Sequence, residues 1–189
     1  MKRAPVKSAL VASSLALAGC GGSATGDAPQ TPSNAAGNSS AKTNAPDFIG
    51  RDLDGKTFRL SDHLGKEVLL LDFWATFCEP CKAEFPHLRA LFDEHRSKGL
   101  LVVAVAMDGP ETTADVPAFV KRFALDFPVV TDEDSRIASL YNPKKSMPFS
   151  VLIDRAGRII RVREGYNPGD EKLVTTDVVS ALGQPGATP

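Results

Sequence analysis

Two cysteines three residues apart, Cys78 and Cys81, lie in "FWATFCEPCKAEFP", residues 73–86, directly after an apolar run. Such a pair can cycle between dithiol and disulfide, supply half of a metal site, or staple a turn. A strand-to-helix junction at this point would place Cys78 at a helix N-terminus. There, free backbone N–H groups and the positive end of the helix dipole favour a thiolate, the reactive form of the side chain. Cys81 follows one turn later on the same face and is in reach to attack a mixed disulfide formed at Cys78. Cys78 is therefore expected to attack and Cys81 to resolve. Pro80 fits the first turn of the helix and stiffens it.

Acids flank the pair. Asp72 stands inside "LLLDFWA", where burial should raise its pKa; the alternative is a turn cap or a solvent-facing residue at a strand edge. Glu84 follows Cys81 by three and would share its helix face, the alternative being an exposed first-turn acid that favours the dipole. Either carboxylate could take the Cys81 proton when that thiol attacks. Glu79, between the cysteines, should oppose thiolate formation at Cys78 and make the couple more reducing.

The elements that must position these residues are legible around them. "EVLLLDFW", residues 67–74, is a nearly continuous apolar run, as expected of a strand buried on both faces. Phe85, Leu88, Leu91 and Phe92 then recur at helical spacing to about Ser97, Gly99 closes the helix, and Pro86 should kink it. "LLVVAVAM" (100–107) is a second buried strand, which makes a βαβ unit with parallel pairing. "ADVPAFVKRFAL" is a further helix, with Asp115 as its cap and Pro117 in its first turn. "FPVVTD" reads as a short strand and "DSRIASLY" as a short helix. "FSVLIDRAGRIIRVREG" reads as an antiparallel hairpin around Arg155-Ala156-Gly157, and "GDEKLVTTDVVSAL" as the last helix. Upstream, Asp54-Gly55 between short alternating segments signals another hairpin. The sum is a mixed sheet with helices on both faces and the cysteines at the C-terminal end of the first central strand, where open α/β sheets place their chemistry.

The N-terminus reads differently. Lys2, Arg3 and Lys7 precede an apolar stretch from Ala9 to Ala18, too short to span a bilayer, which reads as a secretory signal over 1–19. "LAGC" resembles a bacterial lipobox in which Cys20 is acylated; an ordinary secretory cut beside a chance cysteine is the alternative. Gly21 rather than Asp follows Cys20, which by resemblance to enterobacterial sorting favours the outer membrane. Residues 20–45 are rich in Gly, Ser, Ala, Pro and Asn without an aromatic side chain, and read as a lipidated, flexible tether. The folded domain is expected over 46–183, with 184–189 a loose tail. In a chain of 189 residues, 42% of them hydrophobic, there is core enough for one domain. Removing 1–19 takes three of the 22 basic side chains and no acid, leaving 19 against 23 acidic. No basic block remains to attract nucleic acid. Cys78 and Cys81 then sit in an exported domain, where disulfides persist.

"LDFWATFCEPCKAEFP" resembles the thioredoxin superfamily, and "FCEPCKAEFP" its TlpA/ResA-like branch of membrane-tethered, extracytoplasmic thiol–disulfide oxidoreductases. The likeness runs over roughly residues 46–182. It implies a three-layer α/β/α fold with a mixed central sheet, an N-terminal hairpin extension and a βα insertion. It also implies that Met147-Pro148 is the cis-proline step holding substrate backbone, with Phe77, Glu79 and Pro80 on the same surface. Asp72 then matches the buried acid of thioredoxin and Glu84 the active-site glutamate of the ResA-like branch. No cofactor is expected beyond the redox-active disulfide. The implied partners are exported proteins bearing disulfides, with apocytochrome c haem-binding cysteines typical, and a CcdA/DsbD-like membrane thiol donor. The implied location is the cell envelope, on the periplasmic side or the outer face. Phe77 stands where Trp commonly precedes the first cysteine, and Met147 and Phe149 replace the usual small or Thr neighbours of the proline.

Two further classes compete. A zinc site needs four ligands and no second Cys pair exists, and His63, His87 and His95 have no motif context for a copper carrier. A thioredoxin-like binding module could keep the disulfide as a staple only. The peroxiredoxin pattern is absent, since Leu71 and Ala75 stand where its Pro and Thr would be.

Overall fold

The computed structural model describes residues 44–184. The signal over 1–19, the acylation site at Cys20, the tether up to residue 43 and residues 185–189 lie outside the described residues. Among the described residues, seven strands form one mixed sheet in the order β2-β1-β5-β4-β3-β6-β7. They are β1 (Ile49–Asp52), β2 (Thr57–Arg59), β3 (Val68–Trp74), β4 (Leu100–Ala106), β5 (Val129–Thr131), β6 (Phe149–Ile153) and β7 (Ile159–Glu164). Four helices accompany them: α1 (Glu79–His95), α2 (Val116–Phe123), α3 (Arg136–Tyr141) and α4 (Glu171–Leu182).

Every residue of β3 and β4 is buried, because their apolar side chains are covered on both faces. The two strands pair in parallel, Val68 opposite Leu100 through Trp74 opposite Ala106. β6 pairs antiparallel on the other side of β3, placing Asp72 opposite Ser150. Alternation along β3 sends Leu70, Asp72 and Trp74 to one face and Leu69, Leu71 and Phe73 to the other. On the first face Trp74 meets Phe85 of α1 and Phe119 of α2, both with ring centroids 4.9 Å away, and α4 packs beside α1. On the second, Phe73 meets Tyr141 of α3, and the N-terminal hairpin adds Phe48 and Phe58. The expected three layers, hairpin extension and inserted α2–β5 are therefore all present. Gly50 is required where the hairpin abuts β5, since a Cβ there would lie 2.2 Å from Val130 Cγ1.

Some local expectations change. α1 stops at His95, with a 3₁₀ turn over Arg96–Lys98 before Gly99, whose φ of 94° closes the segment. Pro86 lies inside α1, as expected, and leaves the Lys82 carbonyl without its in-helix donor. Asp115 does not cap α2 through its side chain: it lies in a 3₁₀ turn with helical backbone angles, and a cap needs an extended residue. The start of α3 is instead held by Asp132, whose carboxylate accepts from the Ile137 and Ala138 N–H groups at 2.9 and 2.8 Å. At the other end of the sheet, the chain enters through Asn44, bridged to Arg158, and Ala45, whose N–H donates to the Gly157 carbonyl at 2.8 Å. That attachment is to the β6–β7 turn.

Candidate active site

β3 ends at Trp74 and the chain turns at once. The Cys78 N–H closes the turn on the Ala75 carbonyl at 3.0 Å, so Cys78 becomes the N-cap of α1 with Pro80 in the first helical turn. Cys78 and Cys81 form a disulfide with their Cα atoms 5.4 Å apart. The Cys81 N–H points at the Cys78 sulfur, 3.3 Å away. This is the free donor of a helix start aimed at the atom that would carry negative charge. Cys78 is 7% exposed and Cys81 1%. The helix start is thus less open than expected, with Cys78 the more exposed of the two.

Asp72 and Glu84 are buried close enough for the charge of one to act on the other, and Glu84 follows Cys81 by one turn of α1. Asp72 is fully buried in the middle of the sheet, and neither carboxylate oxygen has a hydrogen-bond partner. Its position between β4 and β6 removes the edge-strand and cap alternatives. Burial raises its pKa well above the usual carboxylate range, and the Glu84 charge raises it further. Glu84 is also buried, with Oε2 unpartnered, which removes the exposed-first-turn alternative. Burial, then the charge of Asp170, push the Glu84 pKa up to about 7. A cleft of about 210 Å³, lined by Glu84, Ser150, Val162, Glu164, Tyr166 and Asp170, connects that side of α1 to solvent. Two carboxyls that influence one another and resist ionisation, one of them titrating near neutrality, can accept and return a proton during thiol chemistry.

The Met147–Pro148 step lies at the same end of the sheet as the disulfide, since Phe149 pairs with Phe73. The Met147–Pro148 bond is cis, and the Pro148 carbonyl accepts from the Gly165 N–H at 2.8 Å. Asn142, almost fully buried, clamps Ser146 through both its backbone N–H and its carbonyl, holding the loop ahead of that bond. Phe77 is 60% exposed, which is unusual for a phenylalanine beside a buried turn. Glu79 is exposed and forms an ion pair with Lys82 at 2.5 Å. The opposition to the thiolate expected of Glu79 is accordingly reduced, since the lysine cation offsets its charge and water screens both.

One site feature was missed in the sequence. Thr76 donates its N–H and its hydroxyl to buried Asp108. A signal for it existed: Trp74 and Ala106 are opposite in the parallel ladder, so residues two beyond each strand end are brought together. Asn142, Tyr166 and Asp170 carry no such signal, because they come from segments whose placement depends on the whole topology.

Comparison with known proteins agrees with this geometry. Residues 41–162 match the model of the AhpC/TSA family. The thiol-disulfide oxidoreductase ResA of Bacillus thuringiensis subsp. konkukian is 39% identical over 121 residues, which cover 64% of this chain and 68% of the relative. A structure from Chlorobium tepidum described as thiol:disulfide interchange protein DsbE superposes with a TM-score of 0.70 at 35% identity, covering 75% of this chain and 97% of that one. A solution structure from Bacteroides thetaiotaomicron, described as a protein disulfide isomerase, gives a TM-score of 0.69 at 27% identity and covers 76% of this chain and 90% of that chain.

Proposed function

The chain belongs to the AhpC/TSA family and, within it, to the ResA-like thiol–disulfide oxidoreductases of the thioredoxin superfamily; from that premise we propose that it reduces disulfides of exported proteins. The observation that carries the reading is the Cys78–Cys81 pair at the start of α1, together with two buried carboxyls that act on one another, Asp72 and, one turn past Cys81, Glu84.

The reduced protein begins the cycle. The Cys78 thiolate, favoured by the helix start, attacks one sulfur of a substrate disulfide and expels the other as a thiolate, which takes a proton from solvent. The Cys81 thiol gives its proton to Glu84, coupled to Asp72, and the new thiolate attacks the Cys78 sulfur. The substrate's second sulfur leaves as a thiolate and is protonated, the carboxyl pair being the nearest source. Two electrons have passed to substrate and the Cys78–Cys81 disulfide has formed. A thiol donor in the membrane, of the CcdA/DsbD-like kind, restores the dithiol by the same exchange. Met147-Pro148 and Phe77 offer the substrate backbone and side chains a surface beside the sulfur, with Glu79 and Pro80 at its edge. Cytochrome c maturation, with apocytochrome cysteines as substrate, fits this cycle. Export through the 1–19 signal and acylation of Cys20 would hold the domain at the cell envelope.

Trapping and a potential test the reading. Cys81→Ala cannot resolve, so in the native host it should accumulate exported proteins disulfide-linked to Cys78; Cys78→Ser should accumulate none while staying folded. Equilibration with glutathione should place the couple near thioredoxin, about −270 mV. A value near the strongly oxidising about −120 mV would overturn the reductase direction.

A further inference from the structure

Besides Asp72 and Glu84, another buried carboxylate, which the cycle does not use, is hydrogen-bonded to the turn that Cys78 closes. Asp108 lies two residues beyond β4 and is 1% exposed. Among the described residues its hydrogen-bond donors come from Thr76 alone. The Thr76 N–H donates to Oδ1 and Oδ2 at 3.2 and 3.0 Å, and the Thr76 hydroxyl donates to Oδ1. No cation pairs with Asp108 among the described residues. A buried anion held only by neutral donors keeps much of its field, because neither counter-charge nor water screens it.

Thr76 is an inner residue of the turn that Cys78 closes on Ala75. The anion and the attacking sulfur are therefore attached to one four-residue turn. The segment bearing Asp108 is pinned to the same place, since the Met107 N–H donates to the Trp74 carbonyl at 2.8 Å. The other charges around the turn are differently disposed. Glu79 and Lys82 form an ion pair with Glu79 in solvent, while Asp72 and Glu84 are buried within reach of one another's charge, Glu84 one turn past Cys81 on α1. Lys144, paired with Glu164, and Lys145 are exposed on the loop before Pro148.

We propose that Asp108 is a positioning residue for the nucleophile: through Thr76 it fixes the turn that presents Cys78, and its charge works against the Cys78 thiolate, holding the couple reducing. This rests on the oxidoreductase reading of the disulfide and adds to it the part that sets its poise.

The test uses two variants that disturb the same hydrogen bonds in opposite electrical senses. Asp108→Asn removes the charge. Thr76→Val keeps the charge and removes one donor that neutralises it, while Thr76→Ser keeps both donors. In the full chain, the pH midpoint of Cys78 alkylation is read by mass spectrometry of the Cys78 peptide, and the equilibrium constant with glutathione is measured alongside. Asp108→Asn should lower the midpoint and move the constant about tenfold toward oxidising, about 30 mV. Thr76→Val should move both readings the opposite way, and Thr76→Ser should leave them unchanged. Shifts of the same sign, or none, overturn the proposal, because a merely structural contact would not distinguish the two variants. Should Asp108→Asn fail to fold, the sign of the Thr76→Val shift decides alone. If the unmodified protein exchanged no disulfide with glutathione, the oxidoreductase reading would fall, whereas the alkylation midpoints would still report on Asp108.

Discussion

Replacing Glu84 by glutamine should make the oxidised protein more stable at pH 8 and leave it unchanged at pH 4. The native pKa of this carboxyl is about 7 against an ordinary 4.5, raised by burial and then by Asp170. Below 4.5 the group is protonated in both native and unfolded chains and contributes no difference. Between 4.5 and about 7 the native state keeps a proton that the unfolded chain has released, so stability falls as pH rises through that window. Above about 7 the penalty is complete. At about 1.36 kcal/mol for each tenfold change in proton affinity, it amounts to about 3 kcal/mol. Glutamine has nearly the same shape and no charge, so it escapes the penalty. For a folded part of this size the difference is worth about 10 °C in Tm. Urea unfolding of the oxidised protein at pH 4, 6 and 8 measures it. An offset between the parent chain and the Glu84→Gln variant that stays constant with pH would refute the reasoning, as would no gain at pH 8. The same substitution should slow the resolving step by about 100-fold, the scale of a lost proton acceptor, read by the lifetime of the mixed disulfide at Cys78.

Other substitutions test neighbouring parts of the argument. Asp72→Leu removes a buried carboxyl with two unpartnered oxygens, so stability at neutral pH should rise in a urea melt while thiol exchange slows. Phe77→Ala, at a side chain 60% exposed, should change stability by less than about 0.5 kcal/mol. It should slow reduction of a protein disulfide while sparing that of a small one, as a stopped-flow comparison would show. Gly50→Ala should destabilise the fold by about 1–3 kcal/mol, because its Cβ would meet Val130 at 2.2 Å; reductase activity measured below the melting transition should be unaffected.

How much of this was readable beforehand depends on the range of the interaction involved. β3, α1 and β4 follow from apolar runs and helical spacing, and the thiolate-favouring place of Cys78 follows from their junction. The burial of Asp72 was readable because "LLLDFWA" allows it no exposed position in a central strand. The burial of Glu84 was not, since a residue one turn past Cys81 on α1 is covered only when α4 and the β7–α4 segment arrive. The cis bond at Pro148 came from the family resemblance, as sequence alone favours trans. Capping failed at Asp115 because a short Asp before Pro117 fits a cap and a 3₁₀ turn equally well, and the choice was made by how the chain leaves β4. The pairing of Glu79 with Lys82 was not readable, because it is a matter of rotamers that spacing does not settle.

The route by which the chain joins its own fold keeps its point of entry away from the reactive end. Asn44 and Ala45 fasten to the β6–β7 turn, beside the first residues of β3, whereas the disulfide lies past the last. Seven strand residues, roughly 23 Å at about 3.3 Å each, separate the two ends. The chain therefore enters its fold at the heel of the sheet, a full strand's length from the sulfurs, and a label joined through Asn44 would leave the reactive end clear.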